Sequence, residues 1–210
     1  MYRHAIKRLL DFLGALFLIV LFSPLILLTA LAVRCFLGVP VLFRQRRPGM
    51  RETSFTVMKF RTMLPETDSH GRELSDGERA TPFGTLLRST SLDELPQLVN
   101  ILRGDMSFIG PRPLLERYLP FYTDRERLRH SVRPGLTGWS QINGRNDLRW
   151  EERLELDAWY VEHQSFALDA RIAIRTVPAV LLRRNVREDP GSVMEALDDY
   201  RRSMALDQTI

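Results

Sequence analysis

The chain has 210 residues, which suits one domain with an appendage, and 44% of them are hydrophobic, as in a folded protein. Its single cysteine, Cys35, excludes an internal disulfide and indicates a reducing compartment, and no Cys/His cluster suggests zinc. A net charge of +4 favours an anionic partner, which leaves nucleic acid, anionic lipid and a nucleotide-linked substrate open.

An uncharged apolar segment runs from Phe12 to Val33. A straight helix of that length would measure about 33 Å, enough to cross a bilayer. We predict a break near its middle, at Ser23-Pro24, because proline lacks an N–H and crowds the carbonyl of Val20. The Ser23 hydroxyl can donate to a freed carbonyl one turn back, which makes such a break tolerable in lipid.

Basic residues flank this segment on both sides, at Arg3, Lys7 and Arg8 before it and at Arg34, Arg44, Arg46 and Arg47 after it. The positive-inside rule then favours the cytoplasmic side for both ends. We therefore expect residues 1–35 to form a re-entrant membrane anchor, with Lys7 and Arg8 reaching lipid head groups. The alternatives are a plain spanning helix and a signal peptide cleaved after Ala30-Leu31-Ala32, although the apolar run is long for the latter.

Residues 36–187 are expected to form a small cytoplasmic catalytic domain. The short apolar run Val39 to Phe43 precedes Arg44 to Met50, which is predicted to turn through Pro48-Gly49. Alternation predicts a strand from Ser54 to Met63, with Lys59 and Arg61 on one side. Two cations there are compatible with an anion site or with a solvated sheet edge.

The rest of the domain is predicted to be mostly helical. An exposed loop is expected over 64–79, a structured loop over 131–146, and helices over 83–89, 92–102, 114–130 with a break at Pro120, 147–165 and 168–187. The last helix mixes aliphatic side chains with arginines, which suits either the membrane interface or a core helix with a wet face. In the tail, 188–210, a capping-box pattern from Ser192 to Glu195 predicts a terminal helix. The predicted fold is α+β and mostly helical, with a short sheet and interfacial amphipathic helices.

The adjacent acids Asp93 and Glu94 allow two interpretations. With Ser91 they form a capping-box pattern, and the acids would then only start a helix. Pro96 argues against capping alone, because it falls inside the first turns of that helix and removes a backbone hydrogen bond. The other interpretation is chemical: a helix N-terminus keeps an aspartate ionised, so Asp93 can act as a nucleophile or a metal ligand.

Basic residues surround the pair in the sequence. Arg88 precedes it, and Arg112 lies between two prolines, so its backbone is stiff and its guanidinium can grip a phosphate with little ordering cost. Arg145 follows Asn143-Gly144, a turn that lets backbone approach a ligand closely. These residues indicate a membrane-bound, Mg²⁺-dependent enzyme acting on a phosphate, with a membrane-anchored lipid-binding or scaffold protein without catalysis as the alternative.

Several long motifs follow one another in the chain: RPG at 47–49, KFRTM at 59–63, SLDELPQLVNILRGDMSFIGPRPL at 91–114, VRPGLTGWSQINGRN at 132–146, and Asp157 with Tyr160. With these motifs the chain resembles the bacterial sugar transferases, the monotopic phosphoglycosyl transferases. It is most similar to the small forms that act as undecaprenyl-phosphate diacetylbacillosamine-1-phosphate transferases. The resemblance extends from KRLLDF to about Arg184 and does not cover the region after Glu188.

The resemblance implies a two-step transfer. Asp93 would attack the β-phosphate of a UDP-sugar and release UMP, and undecaprenyl phosphate would then take the phosphosugar from the carboxylate. Glu94 would assist, and Mg²⁺ would sit at Asp93 and the diphosphate. By the same resemblance Lys59, Arg112 and Asp157 belong near the site. Further phosphate or nucleotide contacts are expected from Arg61, Arg88 and Arg145.

The resemblance also implies a place in the cell and a set of partners. The expected location is the cytoplasmic face of the bacterial inner membrane, in polysaccharide biosynthesis or protein glycosylation. The expected partners are a UDP-sugar, undecaprenyl phosphate, membrane lipids and downstream glycosyltransferases, without nucleic acid. An N-acetylated amino sugar is expected, but the residues do not separate diacetylbacillosamine from N-acetylgalactosamine or N-acetylglucosamine.

Overall fold

The computed structural model describes residues 2–67, 70–144, 148–181 and 195–207. Their helices are α1 Lys7–Leu21, α2 Ser23–Phe36, α3 Asp76–Arg79, α4 Pro82–Ser89, α5 Gln97–Arg103, α6 Asp124–Arg127, α7 Trp139–Ile142, α8 Trp150–His163, α9 Phe166–Leu181 and α10 Leu197–Asp207. Their strands are β1 Leu42–Pro48, β2 Ser54–Phe60, β3 Ser107–Ile109 and β4 Gly135–Thr137. The predicted α+β, mostly helical fold is confirmed.

The apolar N-terminal segment is broken where the proline predicted it. Helices α1 and α2 meet at Phe22 with a bend of 66°. The Ser23 hydroxyl donates to the Val20 carbonyl at 2.8 Å, which satisfies the acceptor that Pro24 leaves without a donor. Among the described helices none is by itself long and apolar enough to span a membrane, while α1 and α2 together pass by length and composition.

The helix pair has one bound face and one exposed apolar face. The large exposed side chains of the pair include Leu9, Phe17, Val20, Leu27, Leu28 and Leu31. The bound face of α1 buries Lys7, Asp11 and Ala15. Asp11 accepts hydrogen bonds from the Ser107 hydroxyl at 3.0 Å and the Phe108 N–H at 3.1 Å. The start of α1 therefore packs against the globular domain and is hydrogen-bonded to it.

The prediction that Lys7 and Arg8 reach lipid head groups is wrong. Lys7 is buried, and its Nζ donates to Asp169 at 2.7 Å. Arg8 donates to the carbonyls of Ile101 and Leu102, each at 2.7 Å. The C-terminal carbonyls of α5 and the Asp169 carboxylate offer negative charge within the protein, so these cations bind there.

Strands β1 and β2 form an antiparallel hairpin in which Phe43 pairs with Lys59 and Pro48 with Ser54. The reversal predicted through Pro48-Gly49 is found at 49–53, directly after Pro48. The residues from Arg44 to Pro48, which were predicted as part of the turn, belong to β1 instead. The predicted strand from Ser54 ends at Phe60. In the predicted loop over 64–79, α3 adds a single helical turn.

Strands β3 and β4 pair in parallel, which the sequence patterns did not indicate. Glycine makes this close approach possible, since a Cβ on Gly135 would lie 2.1 Å from the Gly110 nitrogen. The loop predicted over 131–146 therefore contains β4 and α7. The helix predicted over 114–130 is instead three short pieces, two of them 3₁₀ turns at Glu116–Phe121 and Leu128–Ser131.

The C-terminal helices complete the core. Helix α8 buries Leu154 and Tyr160, and α9 buries Ile172. Helix α10 lies in the predicted tail, and its buried Leu197 packs in a cluster with Tyr118, Tyr122, Trp150 and Leu154. The predicted boundary at 187 and the Ser192 cap lie outside the described residues.

Candidate active site

Asp93 and Glu94 lie on a tight turn between α4 and α5. The turn is the 3₁₀ element Leu92–Glu94, and Pro96 directly precedes α5. Ser91 has a left-handed φ of 57° and makes no side-chain cap, so the capping-box interpretation is wrong. Proline shortened the helix at its start, and both acids remain available for other contacts.

Strand β2 brings Lys59 to this turn. The strand is tied to α5 by Asn100, which is fully buried. Its amide donates to the Thr56 carbonyl at 2.7 Å, and its oxygen accepts from the Met58 N–H at 3.1 Å. Because Lys59 is the next residue in β2, this tie fixes the lysine relative to the acids.

Glu94 is paired at close range with two cations. Its Oε1 accepts from Lys59 Nζ at 2.6 Å and from an Arg112 terminal nitrogen at 2.6 Å. Burial alone would raise the pKa of Glu94, but Arg112 and Lys59 outweigh burial and lower that pKa to about 2. Glu94 is therefore a fixed anion that orients both cations.

Asp93 is buried but less tightly paired. Its Oδ2 lies 3.9 Å from Lys59 Nζ. Burial and the charge of Glu94 raise the pKa of Asp93 to about 6, against the opposing charges of Lys59 and Arg112. The expected stabilisation of its charge by a helix N-terminus is thus overridden. A carboxylate of this kind is ionised at neutral pH and more basic than usual, which suits a nucleophile.

Arg112 is fixed through its backbone. The carbonyl of Pro111 accepts from the Gly135 N–H at 2.9 Å, and the carbonyl of Arg112 accepts from Arg129 at 2.7 Å. The neighbouring prolines restrict the remaining torsions. Lys59, Asp93, Glu94 and Arg112 together are called the dyad cluster below.

The other predicted site residues lie elsewhere or are differently engaged. The guanidinium of Arg61 donates to the carbonyls of Leu37 and Val39, just after the end of α2. Arg88 lies in the last turn of α4, directly before the turn that carries the acids. Asp157 is buried on α8 and binds Arg129 and Ser140. Arg145 lies outside the described residues.

Four residues near the dyad cluster were not selected from the sequence. Asn100 and Arg129 are buried and bind backbone carbonyls. Arg47 and Arg153 are half-buried, and burial lowers the pKa of each. The charge of Arg112 lowers the pKa of Arg47 further, and the charges of Arg129 and Arg112 lower that of Arg153. A polar residue within a buried helical stripe could have indicated Asn100. Arg47 opens the RPG motif at 47–49, which could have indicated it, whereas Arg129 and Arg153 lie in segments already rich in arginine and have no distinguishing pattern.

The donor set fits one mode of Mg²⁺ binding. The described residues contain no group of three or more Asp, Glu, His or Cys side chains arranged for a metal. Mg²⁺ is commonly bound by one or two carboxylates together with substrate phosphates. Asp93 makes only a long 3.9 Å contact with Lys59, so its carboxylate oxygens can bind Mg²⁺. Glu94 Oε1, in contrast, already accepts from two cations.

Comparison with known proteins identifies the class. A family model described as bacterial sugar transferase matches residues 2–183. The uncharacterized sugar transferase EpsL of Bacillus subtilis is 51% identical, over 87% of this chain and 91% of that protein. A UDP-glucose:undecaprenyl-phosphate glucose-1-phosphate transferase of Caulobacter vibrioides is 40% identical, over 85% of this chain and 71% of that protein.

A third relative carries a different sugar in its name. The UDP-N-acetylgalactosamine-undecaprenyl-phosphate N-acetylgalactosaminephosphotransferase of Aeromonas hydrophila is 39% identical, over 84% of this chain and 44% of that protein. The chain belongs to the bacterial sugar transferase family. The predicted family and the predicted phosphoglycosyl transferase activity are both confirmed.

Proposed function

We propose that the protein transfers a sugar-1-phosphate from a UDP-sugar to undecaprenyl phosphate through a covalent intermediate on Asp93. The observation that carries this proposal is the unequal pairing of the two acids. Glu94 is closely bound by two cations, whereas Asp93 is buried, more basic than usual and 3.9 Å from Lys59 Nζ. The names of two relatives supply the substrate class.

The first step forms one bond and breaks one. An Asp93 oxygen attacks the β-phosphorus, and the bond between the β-phosphorus and the bridging oxygen breaks, so UMP leaves with that oxygen. In the second step a phosphate oxygen of undecaprenyl phosphate attacks the same phosphorus and Asp93 leaves. The products are undecaprenyl-diphospho-sugar and a regenerated carboxylate, without any net proton or electron requirement.

The dyad cluster has two acids and two cations, so it carries no surplus positive charge for the diphosphate. A carboxylate about 4 Å from a phosphate charge meets a repulsion of ~4 kcal/mol at an effective dielectric near 20. Mg²⁺ bound at Asp93 and the diphosphate would supply charge neutralisation and Lewis acidity. Arg47 and Arg153, near Arg112, are the next source of positive charge.

We place the site at the cytoplasmic face of the inner membrane. Both ends of the helix pair α1 and α2 bind the same globular domain: Lys7 binds Asp169, and Leu37 accepts from Arg61. The apolar side chains between these ends are exposed. A pair whose two ends share one side, and whose middle is apolar and bent, fits a re-entrant anchor.

The covalent route is tested without the lipid acceptor. Purified protein in nanodiscs free of undecaprenyl phosphate is mixed with UDP-sugar and Mg²⁺. We expect a burst of UMP equal to the enzyme concentration and a sugar-phosphate mass gain on the peptide that contains Asp93. A direct transfer, in which Asp93 only binds metal, gives no UMP until acceptor is added, and that result would overturn the proposal.

The sugar is tested with the same assay. We propose an N-acetylated amino sugar, supported by the resemblance to the small family members and by one relative's name. A panel of UDP-sugars should give the fastest UMP release with an N-acetylated member. Fastest release with UDP-glucose, the sugar in the other relative's name, would contradict this choice while leaving the covalent route intact.

The topology is tested by labelling of single cysteines. Cys35 is exposed and serves as the probe for the second end. Ala5→Cys in a Cys35→Ser background is the probe for the first end, since Ala5 is exposed. A membrane-impermeant maleimide should label both positions only in inside-out vesicles. Labelling of the Ala5→Cys variant from the outside would instead indicate a plain spanning helix.

A further inference from the structure

Arg129 is a buried cation that contacts both the backbone of Arg112 and a second acid. Its side chain is 2% exposed. Burying a guanidinium costs free energy of folding unless its N–H donors are paired with acceptors. Its planar, rigid set of donors can bind several acceptors at once. One terminal nitrogen donates to the Tyr122 hydroxyl at 2.8 Å, and the other to Asp157 at 2.9 Å and to the Arg112 carbonyl at 2.7 Å.

The carboxylate of Asp157 is fully engaged by contacts within the protein. Its side chain is also 2% exposed, and one oxygen accepts from Arg129 while the other accepts from the Ser140 hydroxyl at 2.7 Å. Both carboxylate oxygens are thus occupied by protein donors. A ligand phosphate is negatively charged as well, so this acid is poorly suited to contact it.

Arg112 connects the Arg129–Asp157 pair to the dyad cluster. The Arg112 guanidinium donates to Glu94 at 2.6 Å, and the Arg112 side chain is 41% exposed. Its carbonyl is bound by Arg129 and the preceding carbonyl by Gly135. A shift of the Arg112 backbone would therefore change the direction of its guanidinium relative to Glu94.

We infer that Arg129 and Asp157 act as a positioning pair, which orients Arg112 against Glu94 without touching substrate. The inference rests on the proposed function, because the effect of the orientation is on sugar-phosphate transfer. It assigns a role to Arg129 and makes the role of Asp157 indirect. A misplacement of about 1 Å in such a group can cost about 10²-fold in rate.

The test is a double-mutant cycle with Arg129→Lys, Asp157→Asn and the double variant. Lysine keeps the charge but cannot bind Asp157 and the Arg112 carbonyl through a planar fork. We expect each single variant to lower kcat for UMP release by about 10- to 100-fold with KM for the UDP-sugar changed less than about 3-fold. The double variant should be no slower than the slower single variant, because the pair acts as a unit.

Asp169→Asn is the matched control, since it removes a buried acid from an ion pair that lies apart from Arg112. It should lower the thermal midpoint but leave kcat per folded molecule unchanged. Multiplicative effects of the two single variants, or a KM that rises for Asp157→Asn alone, would overturn the inference and assign Asp157 a direct contact with substrate.

A second measurement does not depend on activity. Phenylglyoxal modifies accessible arginines, and its rate at Arg112 can be followed by mass spectrometry. We expect Arg129→Lys to increase that rate several-fold and Asp169→Asn to leave it unchanged. An unchanged rate in Arg129→Lys would overturn the positioning role. A wild-type protein that releases no UMP would instead count against the proposed function alone.

Discussion

Two buried cation–carboxylate clusters of this molecule use similar residues to different ends. In the first, called the anchor cluster, Asp169 Oδ2 accepts from Lys7 at 2.7 Å and from the Tyr2 hydroxyl at 2.5 Å, while Oδ1 accepts from the Tyr160 hydroxyl at 2.8 Å. Every oxygen of this acid is satisfied. The cluster joins the start of the helix pair α1 and α2 to α8 and α9.

The dyad cluster has two acids for two cations, and the pairing is uneven. Glu94 takes the short bonds to Lys59 and Arg112, and Asp93 is left with a 3.9 Å contact and a pKa raised to about 6 by burial and Glu94. The comparison teaches that a buried acid with saturated oxygens is held as a structural anion, whereas an acid whose cations are bound by a neighbouring acid has a raised pKa, as the proposed nucleophile requires.

The largest expected effect on activity is that of a substitution at Asp93, the less tightly paired acid of the dyad cluster. Asp93→Asn removes the proposed nucleophile, so we expect UMP release to fall by at least about 10³-fold, with loss of the burst. The measurement is single-turnover UMP release. Asp199→Asn, a change of an exposed acid on α10, should leave the rate unchanged. A burst that survives in Asp93→Asn would exclude the covalent role.

The anchor cluster should show the opposite behaviour. Asp169→Asn leaves Lys7 buried without its anion, so we expect a loss of about 3 kcal/mol in the free energy of unfolding and no change in kcat of the folded fraction. Thermal unfolding in nanodiscs, with activity measured well below the midpoint, separates the two quantities. A large fall in kcat at an unchanged midpoint would show that this cluster also serves the reaction.

A smaller effect is expected at the second acid of the dyad. Glu94→Gln removes the anion that binds Lys59 and Arg112, so both cations are freed to pair with Asp93 and lower its basicity. We expect kcat to fall by about 10²-fold while the stoichiometric burst remains. Absence of any burst in Glu94→Gln, together with an intact burst in Asp93→Asn, would reverse the two roles.

The smallest effect concerns stability and pH. Burial and Glu94 raise the pKa of Asp93 from 3.8 to about 6, so ionisation opposes folding. Below about pH 4 the carboxyl is protonated in both states and contributes no difference. As the pH rises from about 4 to about 6, the unfolded chain ionises first and the wild type loses stability.

Asp93→Asn lacks this loss. With metal and substrate absent, we expect the variant to be more stable than the wild type at pH 7, by on the order of 2 kcal/mol, and equal to it near pH 4. Denaturant unfolding at several pH values measures the difference. A variant that is less stable at pH 7 would show that the Asp93 charge is favourable in the folded protein.

Local features of the fold were predictable from the sequence. The break at Ser23-Pro24 depends on the missing N–H of Pro24 and on the hydroxyl of the adjacent Ser23, which binds a carbonyl one turn back, so neighbouring residues determine it. The helices 83–89 and 147–165 were predicted close to their observed bounds, Pro82–Ser89 and Trp150–His163, because their periodicity is local. The parallel pairing of β3 with β4 was not, because it joins segments far apart in the chain.

The candidate site, like the fold, has features that the sequence predicted and features that only the structure revealed. The sequence by itself determined the family and singled out Asp93, Glu94, Lys59 and Arg112, since these lie in long motifs with recognisable chemistry. Only the tertiary structure decided which acid is paired and which is left basic, that Lys7 and Arg61 bind protein, and that Arg129 lies behind Arg112. The pKa of a group and the partner of an ion pair are set by burial and by nearby charges. Both depend on residues that are distant in the chain and meet only in the folded structure.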